Sequence, residues 1–391
     1  MKSIKNIFKI GFGPSSSHTM APQFASLMIK EKYPNNHYLV YLYGSLALTG
    51  VGHLTDYIIK KTLGFDKTEI IFDLKEHPVH PNTLKFVILD NEKIVDEIYF
   101  YSVGGGNLKS PMISENIAED IYPFNSLNDL LNYSKEHHLT IPEIVDKFED
   151  TNSFFENILN VMDEAINRGI NTSGILPGGL NVKRRAQDIY QKYLSDLTNH
   201  SALIYATALA VSEENASASG LIVTAPTCGS AGIVPAVLNY AKTIQNKTKK
   251  ELINALKVAG IIGEVVRLNG SISGAEVGCQ GEVGVACSMA SAAYCYLIGG
   301  NTYQIEYAAE IALEHHLGLT CDPVMGLVQI PCIERNAIAS TKAIDAAKYA
   351  ILTDGIHQIS FDDVVKAMKE TGNDMGKGYK ETSLKGLANI K

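Results

Sequence analysis

The chain has 391 residues, with 34 Lys and Arg against 42 Asp and Glu and a formal charge of -8. Apolar residues make up 46% and charged residues 19%, which excludes a disordered chain and leaves enough apolar surface for a core without disulfide staples. The acidic balance, with an isoelectric point near 5.8, argues against a broad nucleic-acid surface.

The N-terminal stretch MKSIKNIFKI is basic but has no apolar run of signal-peptide length, so no secretion signal is expected. Residues 1–118 alternate strand-like runs (HYLVYLYGSLAL, TEIIFDL, LKFVILD, EIYFYSVGGG) with helical candidates at Met20–Glu31 and His53–Leu63. They predict a small α+β domain. Residues 119–139 are assigned to a linker. From 140 to 391 helical patterns dominate, as in SFFENILNVMDEAINR and KKELINALKVAGIIGEVV. The expected fold class is α+β, with a larger, mostly helical second domain.

Two stretches, Asn215–Ala241 and Val283–Ile305, carry no charge and are long enough to span a bilayer. Prolines, glycines and polar residues interrupt them, so buried helices and turns of a cytoplasmic protein are expected rather than a membrane protein.

Three clusters in the first domain could carry chemistry. Gly13-Pro14 sets a turn, and Ser15, Ser16, Ser17, His18 and Thr19 offer hydroxyls, backbone N–H groups and one imidazole to an anion such as a carboxylate. An ordinary N-cap with a surface histidine explains the same residues. The second cluster is Gly50-Val51-Gly52-His53-Leu54-Thr55-Asp56. It lacks the third glycine and distant acid of a dinucleotide loop, whereas His53 near Asp56 suits an oriented base. The third places His77 and His80 around Pro78, followed by Asn82, a weak metal signal that turn residues explain as well. In the second domain, Thr227, Gly229 and Ser230 lie in a run of small residues that can form an anion-binding nest or a tight turn.

All six cysteines lie after residue 227. Cys287 and Cys295, eight apart in an alanine-rich run, suit a buried helix face. Cys228, Cys279, Cys321 and Cys332 sit beside glycine, proline or aspartate, residues of turns and helix ends. The spacing matches no zinc pattern. Three thiols brought together from three turns suit an iron–sulfur cluster with one iron left open.

These segments, together with FGPSSSHT, YGSLALTGVGHLTD, HPNTLKF, YSVGGG, GCQGEVGVACSMA and GLTCDPVMGLVQIPCIERN in that order, resemble the iron–sulfur L-serine dehydratases of bacterial type over nearly the whole chain. The resemblance implies a β domain preceding a helical α domain, and a [4Fe–4S] cluster on Cys279, Cys321 and Cys332. It implies a carbon–nitrogen lyase that converts L-serine to pyruvate and ammonia without pyridoxal phosphate. His18 and His53 are then the expected acid–base pair, with His53 the better base if Asp56 orients it. Ser15, Ser16, Ser17 and Thr19 would bind the substrate carboxylate or ammonium. His80 and Asn82 would line the same site, and Thr227, Gly229 and Ser230 would form the facing wall. A homodimer is the default expectation.

Some single-chain members cap the open iron with a C-terminal cysteine. This sequence ends Leu387-Ala388-Asn389-Ile390-Lys391, so no such cap is expected, and the short stretch from His53 to His80 leaves no room for an added regulatory domain. Two other classes fit parts of the pattern: a β-eliminating lyase acting on cysteine or threonine, and a non-enzymatic iron–sulfur sensor, which would need no histidine pair.

Overall fold

The computed structural model describes residues 1–113 and 120–389, so the expected boundary at 118 lies outside the described residues. The fold is α+β, with a small sheet-bearing region followed by a larger helical one.

The chain begins inside the helical core. Met1, Ile4, Ile7 and Phe8 are buried there, through a short 3-10 turn at Ile4–Ile7. The strand β1 (Ile10–Phe12) then pairs with a strand more than 200 residues later, Leu221–Val223, in antiparallel register. A π-type helical turn (Ser16–Met20) leads directly into α1 (Ala21–Lys32), with Pro22 in its first turn. Such wide turns are rare in helices and recur at functional sites.

A five-stranded sheet follows. It is built from β2 (His37–Tyr43), β3 (Thr68–Asp73), β4 (Thr83–Asp90), β5 (Lys93–Ser102) and β6 (Leu108–Lys109) in the order β3-β2-β4-β5-β6. Only the β2–β3 pair is parallel. The two-residue repeat of a strand turns Tyr38, Val40 and Leu42 of β2, and Leu84, Phe86 and Ile88 of β4, into one core with α1 and a later helix.

One departure from the sequence reading sits at the end of β2. The strand-like run HYLVYLYGSLAL does not continue as a strand. Gly44 takes φ +55°, and a Cβ there would lie 2.6 Å from Pro81 O. The chain turns at that point, and Ser45–Thr49 forms a single helical turn, α2, before α3 (Thr55–Leu63). Leu54, between them, is left-handed at φ 57°.

The helical region starts within the residues assigned to a linker. The helix α4 (Leu127–His137) buries Leu127 and Leu130 in the main core. It is followed by α5 (Ile141–Phe148), α6 (Asn152–Ile170), α7 (Ala186–Ser195) and α8 (His200–Ser217). After the strand β7 (Leu221–Val223) come α9 (Ile233–Gln245), α10 (Lys249–Asn269), the short α11 (Gly274–Val277) and α12 (Val283–Leu297). The chain finishes with α13 (Thr302–Glu314), α14 (Cys332–Ile351) and α15 (Phe361–Asp374).

The helix α12 is the central rod, packed against α9, α10, α13 and α14 and buried on nearly every face. That explains its missing charges and its alanines, serines and glycine, which let neighbours approach closely. No helix among the described residues is long and apolar enough to cross a membrane.

Candidate active site

The three turn cysteines meet in one small cavity. Cys279 sits in the 3-10 turn Gly278–Gly281 that precedes α12. Cys321 lies in the extended link after α13, bridged to Lys380, and Cys332 opens α14. All three are buried, and all line a cavity shared with Pro14, Ser15, His53, Gly229, Glu282 and Glu381. Burial pushes the Cys279 thiol up to about 11, with the Arg335 guanidinium opposing the rise. Burial likewise raises Cys321 and Cys332, and each thiol's charge would oppose the next.

Arg335, one turn into α14, donates to Thr320 O at 2.7 Å and reaches the Cys279 sulfur. Soft, convergent thiols beside a guanidinium fit an anionic iron–sulfur group, whose binding would displace the thiol protons. Close approach is built in at Gly274, where a Cβ would lie 2.6 Å from Glu282 Oε2 and 3.3 Å from Cys321 Sγ.

The histidines come from the sheet-bearing region. The rings of His18 and His53 meet edge to face at 4.6 Å. His18 is surrounded: its Nδ1 lies 2.8 Å from Ser17 Oγ and 3.3 Å from Glu381 Oε1, and its Nε2 lies 3.0 Å from Ser45 Oγ. His53 is held by Thr49 Oγ1, 3.3 Å from its Nδ1, while its buried Nε2 has no hydrogen-bond partner among the described residues. Desolvation lowers both imidazoles, His53 to about 3, so both are neutral at pH 7. Atoms of His18, His53 and Glu381 lie within 4.8 Å of one another, close enough for a small cation.

Most of the expected polar residues are brought to this place, though several are tied down. Ser15 Oγ accepts from the His18 backbone N–H and Ser17 Oγ contacts His18, so both hydroxyls shape the turn. Ser16 is buried in the same turn. Thr19 donates to His53 O at 2.7 Å, which ties the two histidine segments together.

Across the cavity, Gly229 lines the wall, and the Thr227 hydroxyl lies against Ser230 Oγ at 3.1 Å and against the Glu282 carboxyl. Asn82 is fully buried, and neither side-chain atom has a partner among the described residues. His80 turns instead to Glu276 at 3.2 Å, and His77 packs against Tyr43, Tyr99 and Tyr101 on the outer face of the sheet.

Asp56 makes no hydrogen bond to His53 among the described residues; Thr49 does. The helical hydrogen bond from His53 N to Thr49 O makes that i−4 residue the neighbour, and left-handed Leu54 breaks the path from His53 to Asp56. The sequence reading also missed Glu282, Glu381, Arg335, Ser45 and Thr49. Glu282 and Arg335 stood three residues after Cys279 and Cys332, and Ser45 and Thr49 shared a helical spacing with each other. Nothing local marked Glu381.

Sequence comparisons fit this arrangement. Residues 3–64 match the family model of the serine dehydratase beta chain and residues 82–388 that of the serine dehydratase alpha chain. The chain belongs to the serine dehydratase family.

Within the family it is 39% identical to the L-serine dehydratase of Haemophilus influenzae, over 99% of each chain. It is 41% identical to L-serine dehydratase 2 of Escherichia coli, over 99% of this chain and 98% of that one. With the L-serine dehydratase of Streptomyces coelicolor the identity is 40%, over 99% of this chain and 98% of the relative. The Haemophilus alignment runs over 454 positions against 391 residues here, so that serine dehydratase carries at least 63 residues this one lacks.

Proposed function

We propose that this serine dehydratase converts L-serine to pyruvate and ammonia, with a [4Fe–4S] cluster held by Cys279, Cys321 and Cys332. One observation carries the reading: the unpartnered Nε2 belongs to a histidine, His53, that lines the same buried cavity as the three thiols. When bound, the cluster supplies a Lewis acid for the serine β-hydroxyl at the iron that three thiolates leave open.

The remaining work falls to the chain. His53 Nε2, neutral because it is buried, takes the α-proton. The Cβ–O bond breaks, and Glu381, whose carboxyl burial holds well above the usual carboxylate range beside His18, gives its proton so that the hydroxyl departs as water; the proton taken by His53 restores it afterwards. The aminoacrylate left behind tautomerises to an imine, which water hydrolyses to pyruvate and ammonia.

Ser15 and Gly229, which line the cavity, meet the substrate's carboxylate or ammonium, and Thr227 and Ser230 brace the wall behind Glu282. Residues 1–118 thus supply the histidines, and residues 140–391 the thiols. A homodimer in the cytoplasm completes the reading, with sedimentation and cell fractionation as its tests.

The decisive assay is pyruvate formation from L-serine by protein purified without oxygen, half of it then exposed to air. Activity that disappears in air supports an exposed catalytic cluster. No activity with L-serine in an anaerobic sample of verified iron and sulfide content would sink the serine assignment.

A further inference from the structure

The two histidines rest on two hydroxyls of a single helical turn. Ser45 and Thr49 are four residues apart on α2, so they share a face. Ser45 Oγ donates to Glu381 O at 2.7 Å, a carbonyl that can only accept. Its oxygen is left to accept from His18 Nε2 at 3.0 Å, which places a proton on that nitrogen.

Thr49 Oγ1 likewise donates to Ser45 O at 3.0 Å. Its oxygen then accepts from His53 Nδ1 at 3.3 Å, which places the His53 proton on Nδ1. A neutral imidazole carries one N–H. His53 Nε2 is therefore a bare lone pair, and the lack of a partner for this buried atom among the described residues agrees with that.

We infer that Ser45 and Thr49 are positioning residues that hold His18 and His53 in opposite tautomers: His18 protonated on Nε2, His53 bare on Nε2. The inference deepens the reading in which His53 is the base, and rests on it for its consequence. In water an imidazole exchanges between both tautomers. Here the productive one is set before substrate arrives, and a ring bearing its proton on the cavity side could not take the α-proton.

The direct test is the ring 15N spectrum of histidine-labelled holoenzyme, with His53 assigned by the signals lost in His53→Gln. The expected result is a bare Nε2 and a protonated Nδ1 for His53 in the wild type and in Thr49→Ser, and protonation shifted toward Nε2 in Thr49→Val, which keeps the shape and removes the acceptor. Thr49→Val is expected to lower kcat by about 10- to 100-fold with KM little changed, and to raise the isotope effect with α-deuterated serine. Thr49→Ser should restore both.

A His53 protonated on Nε2 in the wild type would overturn the inference. So would a Thr49→Val enzyme with unaltered spectrum and kcat. Should that variant not fold, the wild-type spectrum decides alone. Full turnover in His53→Gln would instead overturn the base assignment, while the wild-type spectrum would still read the tautomer lock.

Discussion

Cys287 and Cys295 are as deeply buried as Cys279, Cys321 and Cys332, and burial raises all five thiols. The two sets differ in what surrounds them. The first pair lies along α12 among core side chains, with Cys287 Sγ 3.3 Å from Ala339 O, and each thiol is held near 12. The other three come from separate turns, converge on a cavity and face Arg335. Cys228 falls between them: it packs against Met20 and Ile222, and the Glu282 charge adds to the rise that burial causes. Burial therefore says little about chemistry. Convergence of the thiols, and a cation placed to favour their ionised form, are what set the second group apart.

Cys321→Ala is expected to lose bound iron and sulfide and all serine turnover, whereas Cys287→Ala should keep both and lose about 1 kcal/mol of stability. Metal analysis and thermal unfolding of the two variants read this out.

His53→Gln is expected to lower kcat by at least about 100-fold while leaving iron content unchanged, since a positioned base contributes that much. Steady-state kinetics on cluster-replete protein would show it.

Gly274→Ala sharpens the geometric side. Its new methyl would press on Glu282 and Cys321, so cluster content or turnover should fall several-fold. A fully loaded, fully active variant would show that the wall has room to spare.

The smallest effect is a pH dependence of stability. The folded state holds His53 at about 3, against 6.5 for the ordinary side chain. The unfolded chain therefore binds the proton first as pH falls, and stability is lost between about pH 6.5 and pH 3, by up to about 1.4 kcal/mol per pH unit. Melting temperatures of wild type and His53→Gln across pH 7 to 5 should diverge, with the wild type falling faster.

The sequence shows the thiols and histidines because they stand in short motifs: Gly-Cys-Gln-Gly and Pro-Cys-Ile for two of the cavity cysteines, and a serine-rich turn for His18. The sheet strands are legible because their runs are rich in β-branched and aromatic residues. What stays hidden depends on distance along the chain. Glu381 lies 363 residues after His18, and long-range contacts bring it in: the bridge from Lys380 to Cys321 and the hydrogen bond from Ser45 Oγ to Glu381 O. The pairing of β1 with β7 is hidden for the same reason. The misplaced partner of His53 has a local cause: a three-residue spacing to Asp56 implies a helix that left-handed Leu54 interrupts.

If the three turn cysteines, and not the equally buried helical pair, hold an iron–sulfur cluster opposite His53, iron and labile sulfide in anaerobic protein should follow the turn cysteines. A full complement is expected in wild type and Cys287→Ala, and its loss in Cys321→Ala. A full cluster in Cys321→Ala, or its loss in Cys287→Ala, would contradict that assignment.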